Sequence, residues 1–220
     1  MPKAIVTAGP TYEPLDEVRR LTNHSTGRLG IELTNYLTTN GVSVTLLKGY
    51  YSTYAGRCSA HKTLPFTTTQ SLDEHLTKLS NEPYDAIFHA AAVSDFQFGR
   101  ISNDTGDDSS EDHHPGKWST RSGTLLAELV PTKKILPELR SRYPKALLVG
   151  WKYEVDGDQA TAIEKGESQL IDSKSDLSIV NGPAYGSGFG IVSRTGSLRH
   201  VSSHESLYEQ LNESLFKRIS

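Results

Sequence analysis

The sequence predicts an α/β protein, a mostly parallel sheet flanked by helices with a hairpin or flap inserted in the middle. Three observations carry this. Apolar runs of strand length at 3–8, 42–47 and 85–89 alternate with segments of helical period, a pattern that gives parallel strands joined by right-handed crossovers. The segment 102–116, SNDTGDDSSEDHHPG, breaks the alternation with almost no apolar content and reads as a mobile loop. The alternation then resumes at a buried strand, 146–151. With no repeat and no linker, residues 1–220 read as one continuous domain.

Each element has its own signal. The run 3–8 enters a Gly-Pro turn at Gly9. A helix over about 27–40 places Leu29, Leu33, Tyr36 and Leu37 at helical spacing, with Gly41 as its cap. After the strand 42–47, Ser71 is expected to cap a helix over about 72–80. The strand 85–89 ends in the small-residue run Ala90-Ala91-Ala92. Residues 117–119 and 125–129 look like two arms of a hairpin turning at Ser122-Gly123. A helix over about 133–142 stops before Pro144, and another covers about 158–171 ahead of the strand 176–181. A hairpin of 188–193 with 197–202 and a helix over about 205–218 complete the chain.

Bulk properties exclude several classes. A net charge of −3 and an isoelectric point near 6.2 do not suit general nucleic-acid binding. A single cysteine, Cys58, leaves no internal disulfide framework and no multi-cysteine zinc site, and fits a reducing compartment. The start lacks a signal-peptide pattern and no apolar run approaches membrane-spanning length, so cytoplasmic is the expected location, with no membrane partner. The acids and histidines of 107–114 match neither zinc nor EF-hand spacing, so no resident metal is expected.

The first thirty residues carry the most chemistry. A strand, a long polar loop and a helix start follow one another, and the unpaired N–H groups of a helix start favour anions. The compact G-x-G-x-x-G of dinucleotide folds is absent. In its place the loop holds Arg19, Arg20 and Asn23 before Ser25-Thr26-Gly27, groups suited to a carboxylate or phosphate. Ligands of such sheets sit beyond the carboxyl ends of the strands, here at 7–10 and 90–95.

These segments resemble the phosphopantothenoylcysteine synthetase (phosphopantothenate–cysteine ligase) family of coenzyme A biosynthesis. The resemblance runs through Thr7-Ala8-Gly9-Pro10-Thr11, Val18-Arg19 to Asn23-His24-Ser25-Thr26-Gly27, His89 to Phe96, Glu128 to Thr132, Val149 to Glu154 and Ile179-Val180-Asn181, in family order over nearly the whole chain. It implies a Rossmann-like sheet and a ligase that joins 4′-phosphopantothenate to cysteine. CTP or ATP, with Mg²⁺, would convert the carboxylate into an acyl-nucleotidyl anhydride before the cysteine amine displaces the nucleotide. The chain begins at the first strand, as expected of a free-standing ligase without the flavin-dependent decarboxylase, so no flavin is expected. A homodimer is implied, paired around the central hairpin through Trp118, Leu125 and Leu129.

By the same resemblance Asn23, Arg19 and Lys117 are the catalytic candidates, Lys117 lying on a flap over about 97–123 with Arg121 as a second charge. Gly9, Ser25, Thr26 and Gly27 would meet phosphates. Pro10 replaces a second glycine common in the family and removes one N–H. Ala90, Ala91 and Ala92 would leave room for a flat ring, with Asp95 accepting from base, sugar or pantothenate amide. Thr132, Lys133 and Lys134 would lie under the triphosphate. Trp151 would border the base, with Lys152 after it and with Asn181 and Phe189 completing the pocket wall; the paired lysines that some CTP-using members carry before the 176–181 strand are not matched, and Lys174 is the nearby cation in their place. The Lys after the aromatic is closer to the eukaryotic-type branch, and the choice between CTP and ATP stays open. Two other readings stand beside this one: a diverged non-catalytic nucleotide-binding module of the same fold, and an NAD(P)-dependent reductase, which lacks both the glycine fingerprint and a Tyr-x-x-x-Lys pair.

Overall fold

The computed structural model describes residues 1–103, 116–120 and 123–219. The loop residues 104–115, together with Arg121 and Ser122, lie outside the described residues, and so do the acidic loop's main part and the second flap charge.

β1 (Lys3–Ala8) is buried from Ala4 onward, as a central parallel strand covered on both faces must be. A small antiparallel ribbon follows, β2 (Tyr12–Pro14) with β3 (Arg20–Thr22), inside the segment expected to be a plain loop. α1 (Arg28–Thr39) buries Ile31, Leu33, Thr34 and Leu37 and ends ahead of Gly41, whose φ of 81° closes the last turn. β4 (Ser43–Gly49) and β5 (Lys62–Phe66) extend the sheet on one side of β1. β5 gives little sequence signal because it is an edge strand, where Pro65 and exposed polar residues are tolerated.

α2 (Thr69–Leu79) starts earlier than expected. Its cap is Thr68, whose hydroxyl accepts from Ser71 N–H at 3.1 Å; Ser71 answers by accepting from Thr67 N–H at 3.4 Å. The chain then crosses to β6 (Ala86–His89) on the other side of β1. β9 (Leu147–Tyr153), β10 (Leu177–Asn181), β11 (Phe189–Ser193) and β12 (Leu198–Val201) complete an eight-stranded sheet of order β12-β11-β10-β9-β6-β1-β4-β5. It is parallel except for β11 and β12.

Strand alternation divides the core between two faces. Ala4, Val6 and Ala8 pack with α1 and with α5 (His204–Ile219), whose Leu207, Leu211 and Leu215 are fully buried. Ile5, Leu47 and Ile87 face α2 and α3 (Leu136–Arg142), and Val180 packs with α4 (Gln159–Ser173). α3 begins at Leu136, with Pro137 in its first turn, where a missing N–H is harmless. Lys133 and Lys134 therefore precede the helix rather than open it.

The central hairpin differs from expectation. β8 (Leu125–Pro131) pairs with β7 (Phe96–Asn103), not with 117–119. Residues 117–119 form no strand, and the N–H and C=O of Trp118 are engaged instead by Asp16 and Arg19 in the turn between β2 and β3.

Candidate active site

The order of the strands reverses at β1, whose neighbours are β4 and β6. Just beyond that point lies a cleft of about 1410 Å³, lined from the ends of β6, β9 and β10, from the starts of α1, α3 and α5 and from one face of α4. A cleft outside the carboxyl ends at a switch point is where an open α/β sheet binds its ligand.

Gly27 lines it, and Gly9 packs behind Gly27. Both have positive φ, 85° and 80°, which a side chain rarely adopts. A Cβ on Gly9 would fall 1.9 Å from Ser52 Oγ, and a Cβ on Gly27 would lie 3.3 Å from Gly9 Cα. Gly30, a turn into α1, packs so closely on β1 that a Cβ would sit 2.5 Å from Ala8 Cβ. Tight turn, close backbone approach and close helix–strand packing are the three duties of the dinucleotide fingerprint. The fingerprint is therefore present in space although residues 10–26 split it in the sequence. Gly27 gives α1 no side-chain cap and no acid stands in its first turn, so the positive end of the helix dipole meets no first-turn carboxylate.

Asn23 does not cap α1. Its Nδ2 donates to the carbonyls of Ala92 at 3.2 Å and Val93 at 3.1 Å, tying the loop before α1 to the end of β6. Both amide hydrogens are used, and the opposite amide orientation would set an oxygen against two carbonyls. Oδ1 is the atom left for a ligand, as an acceptor. The β6 extension is held to β1 by Ala92 N–H to Gly9 O at 3.0 Å and Thr11 N–H to Ala92 O at 3.1 Å. Ala90, Ala91 and Ala92 are half-buried along this wall.

His89, at the end of β6, is buried, and its Nδ1 meets the Thr7 hydroxyl at 3.0 Å. The same hydroxyl accepts from Ala91 N–H at 3.0 Å. Burial pushes the imidazole pKa down to about 4, so the ring is neutral near pH 7.

The opposite wall carries charge. Arg28, Lys133, Lys134, Lys152 and Lys165 line the cleft against only Asp95 and Asp172 among the acids. Each of these five cations is already engaged. Arg28 pairs with Glu32 at 2.7 Å, Lys133 with Asp73 and Glu138 at 2.9 Å each, Lys134 with Asp95, and Lys152 with Glu154 at 3.0 Å. Glu154 also holds Lys165; burial works against its charge, but Lys165 and Lys152 outweigh that and keep its pKa below the usual range.

Of the residues nominated by the sequence, Asn23, Ser25, Thr26, Gly27, Ala90, Ala91, Ala92, Asp95, Thr132, Lys133, Lys134, Trp151, Lys152, Asn181 and Phe189 line this one cleft. Gly9 supports it from beneath. Thr26 Oγ1 accepts from Arg28 N–H at 3.2 Å, and Thr132 N–H donates to Asp95 O at 2.9 Å. Arg19 and Lys117 do not line the cleft. Lys174, in the turn after α4, precedes β10 and so lies at the opposite edge of the sheet from the carboxyl ends. Sequence reasoning missed Gln169, Gly182, Gly186 and His204, which also line the cleft. The glycine spacing of 182–188 was the available signal for the middle two; Gln169 and His204 look like ordinary helix residues until the helices are placed.

Fold and cleft together define a doubly wound α/β protein with an anion-receptive site at its switch point. Residues 2–215 match the family described as DNA/pantothenate metabolism flavoprotein C-terminal domain, and the chain belongs to that family. It is 30% identical over 181 residues to the coenzyme A biosynthesis bifunctional protein CoaBC of Thermococcus kodakarensis, covering 81% of this chain and 41% of that protein. The chain thus spans less than half the length of this curated relative. The crystal structure of the DNA/pantothenate metabolism flavoprotein from Streptococcus pneumoniae superposes with a TM-score of 0.85 at 26% identity over 99% of both chains. A Cab2 variant in complex with phosphopantothenate-cysteine shares the fold, with a TM-score of 0.73 at 19% identity over 99% of this chain and 87% of that one.

Proposed function

We propose that this protein joins the carboxylate of 4′-phosphopantothenate to the amine of cysteine, through an acyl-nucleotidyl intermediate, in coenzyme A biosynthesis. The observation that carries the reading is the cleft itself. A helix start with no first-turn acid, a split glycine fingerprint and five cations converge at the switch point of a chain similar to the curated CoaBC relative. In the reaction a carboxylate oxygen attacks the α-phosphorus of CTP or ATP and pyrophosphate leaves. The cysteine amine then attacks the acyl carbon, the nucleoside monophosphate leaves, and the amine proton passes to water or phosphate.

Two anions must share one site, and that is the demand the cationic wall meets. The N–H groups opening α1 suit a phosphate, and Asn23 Oδ1 suits a donor such as the cysteine amine or a pantothenate hydroxyl. Lys133, Lys134 and Lys152 would exchange carboxylate partners for phosphate oxygens. Trp151, half-buried on the α1 face of β9, offers a flat apolar surface to a base without selecting one. No group of three or more metal-ligating side chains exists among the described residues. Mg²⁺ would therefore be held by the triphosphate oxygens, with water and at most Asp95 or Asp172 beside it, as is usual for that ion. There it would neutralise phosphate charge.

No helix among the described residues is long and apolar enough to cross a membrane, and the cytoplasm is the proposed location. The test is pyrophosphate release from CTP or ATP. Release that requires phosphopantothenate, with cysteine-dependent formation of the amide, is the expected result. Tight nucleotide binding without release would favour the diverged non-catalytic module instead.

A further inference from the structure

Segment 116–118 reaches the turn between β2 and β3 from far along the chain, and it is held there by one carboxylate. The Asp16 side chain has no solvent exposure. Its Oδ1 accepts from Val18 N–H at 3.0 Å and Arg19 N–H at 2.7 Å. Its Oδ2 accepts from Arg19 Nε at 2.9 Å, from Arg19 Nη2, and from Trp118 N–H at 3.2 Å. A carboxylate has about four lone-pair sites, so this one is saturated. Arg19 Nη2 also donates to Trp118 O at 3.1 Å. The ion pair thus grips the N–H and the C=O of a single residue, as a neighbouring strand would. A third bond, Glu17 N–H to Gly116 O at 3.2 Å, extends the grip. Trp118 is buried in consequence, while Lys117 stands exposed between two fixed residues.

We propose that the Asp16–Arg19 ion pair is a clamp that sets the position of Lys117, and that Arg19 is a positioning residue rather than a ligand for a substrate anion. The guanidinium supports this. Its planar fork is spent on Asp16, and one nitrogen is further spent on a backbone carbonyl, an arrangement a lysine could not reproduce. Arg19 also stands outside the cleft that gathers Lys133, Lys134 and Lys152. The hydrogen bond from Arg19 holds the Asp16 carboxyl well below the usual carboxylate range, so the clamp stays charged throughout the neutral range.

Hydrogen exchange of the full chain tests the clamp without any assay of activity. In Asp16→Asn and in Arg19→Gln, exchange at 15–19 and 116–120 should quicken by about ten- to a hundredfold, the loss of a charge-assisted hydrogen bond, with β1 unchanged. Arg19→Lys, which keeps the charge and loses the fork, should behave in the same way, and it stands in if Asp16→Asn exposes β1 as well. Unchanged exchange at 116–120 in Arg19→Gln and Arg19→Lys overturns the clamp.

The positioning role rests on the ligase reading and is tested separately. Turnover should fall while KM for phosphopantothenate moves by less than about threefold, and the Asp16→Asn/Arg19→Gln double variant should be no worse than the poorer single one. A KM that falls in Asp16→Asn and rises about tenfold in Arg19→Gln would make Arg19 an anion ligand and overturn the assignment. Absence of pyrophosphate release from the unaltered protein would sink the ligase reading alone, and the exchange result would still decide the clamp.

Discussion

Gly9 and Gly27 meet across the hydroxyl of Ser52, although residues 10–26 separate them in the chain. Those intervening residues hold the β2–β3 ribbon and Asn23. The protein therefore keeps the geometry of a dinucleotide-type turn and inserts into it a loop that carries its own polar groups. That is a way to change what a phosphate site does without moving the site.

The turn should tolerate a methyl group poorly. Gly41 also has positive φ, but nothing lies within 4 Å of its missing Cβ, so Gly41→Ala should cost only the left-handed strain of about 1–2 kcal/mol. Gly9→Ala adds a collision with Ser52 Oγ at 1.9 Å, worth about 1–3 kcal/mol more. Adding Ser52→Gly should recover the second part and leave the first. Denaturant unfolding of the two single variants and the double one measures all three quantities. Equal costs at Gly9 and Gly41 would mean that Ser52 simply moves aside.

Asn23→Ala should fold normally, since the side chain is exposed and the Ala92 carbonyl keeps its bond from Thr11 N–H. Its turnover should fall by about tenfold, the scale of one lost hydrogen bond from a substrate donor to Oδ1. Asn23→Asp should do more harm, because an acid would place an oxygen against the carbonyls of Ala92 and Val93. Steady-state pyrophosphate release compares them. An aspartate variant as active as the parent would remove the amide donors from the account.

The sequence made the doubly wound sheet legible because its strands are apolar runs bounded by turns. It made most of the cleft legible because strand ends and the Ser25-Thr26-Gly27 helix start are local features. What escaped was non-local. The fingerprint was invisible because its first and second glycines are separated by an insertion, and only the fold restores their contact. Residues 117–119 look like a strand, yet the Asp16–Arg19 ion pair takes up the Trp118 N–H and C=O that pairing with β8 would use. Ser71 was read as a cap although Thr68, one turn earlier, offered the same chemistry and a reciprocal bond. Lys174 failed for a simpler reason: a residue ahead of a parallel strand lies at the wrong end of the sheet.

The β7–β8 ribbon is a two-stranded sheet by itself, a form that is marginal in water unless something covers it. Phe96, Leu126 and Leu129 are 46%, 56% and 48% exposed, while Trp118, expected to join them, is buried in its own chain. We expect a second copy of the chain to cover this ribbon. Light scattering should give a dimer at micromolar protein, and Leu126→Glu with Leu129→Glu should give a folded monomer. A monomeric parent would rule the interface out.

His89 should make stability depend on pH within a definite window. The unfolded imidazole has a pKa near 6.5, and the buried ring titrates at about 4. Above the first value both states are neutral, and His89 adds no slope. As pH falls from about 6.5 to about 4, the unfolded chain takes up a proton that the native ring refuses, so stability declines, by at most on the order of 3 kcal/mol. Below the second value both states are protonated and the decline from this group stops. Asp16, whose carboxyl is held well below the usual range by Arg19, contributes its own loss at lower pH, so the two effects separate. His89→Asn should have a flatter profile than the parent between about pH 7 and pH 5 and run parallel to it above neutrality. Urea unfolding across that range gives the difference directly, and identical profiles would mean that the ring is not held neutral by burial.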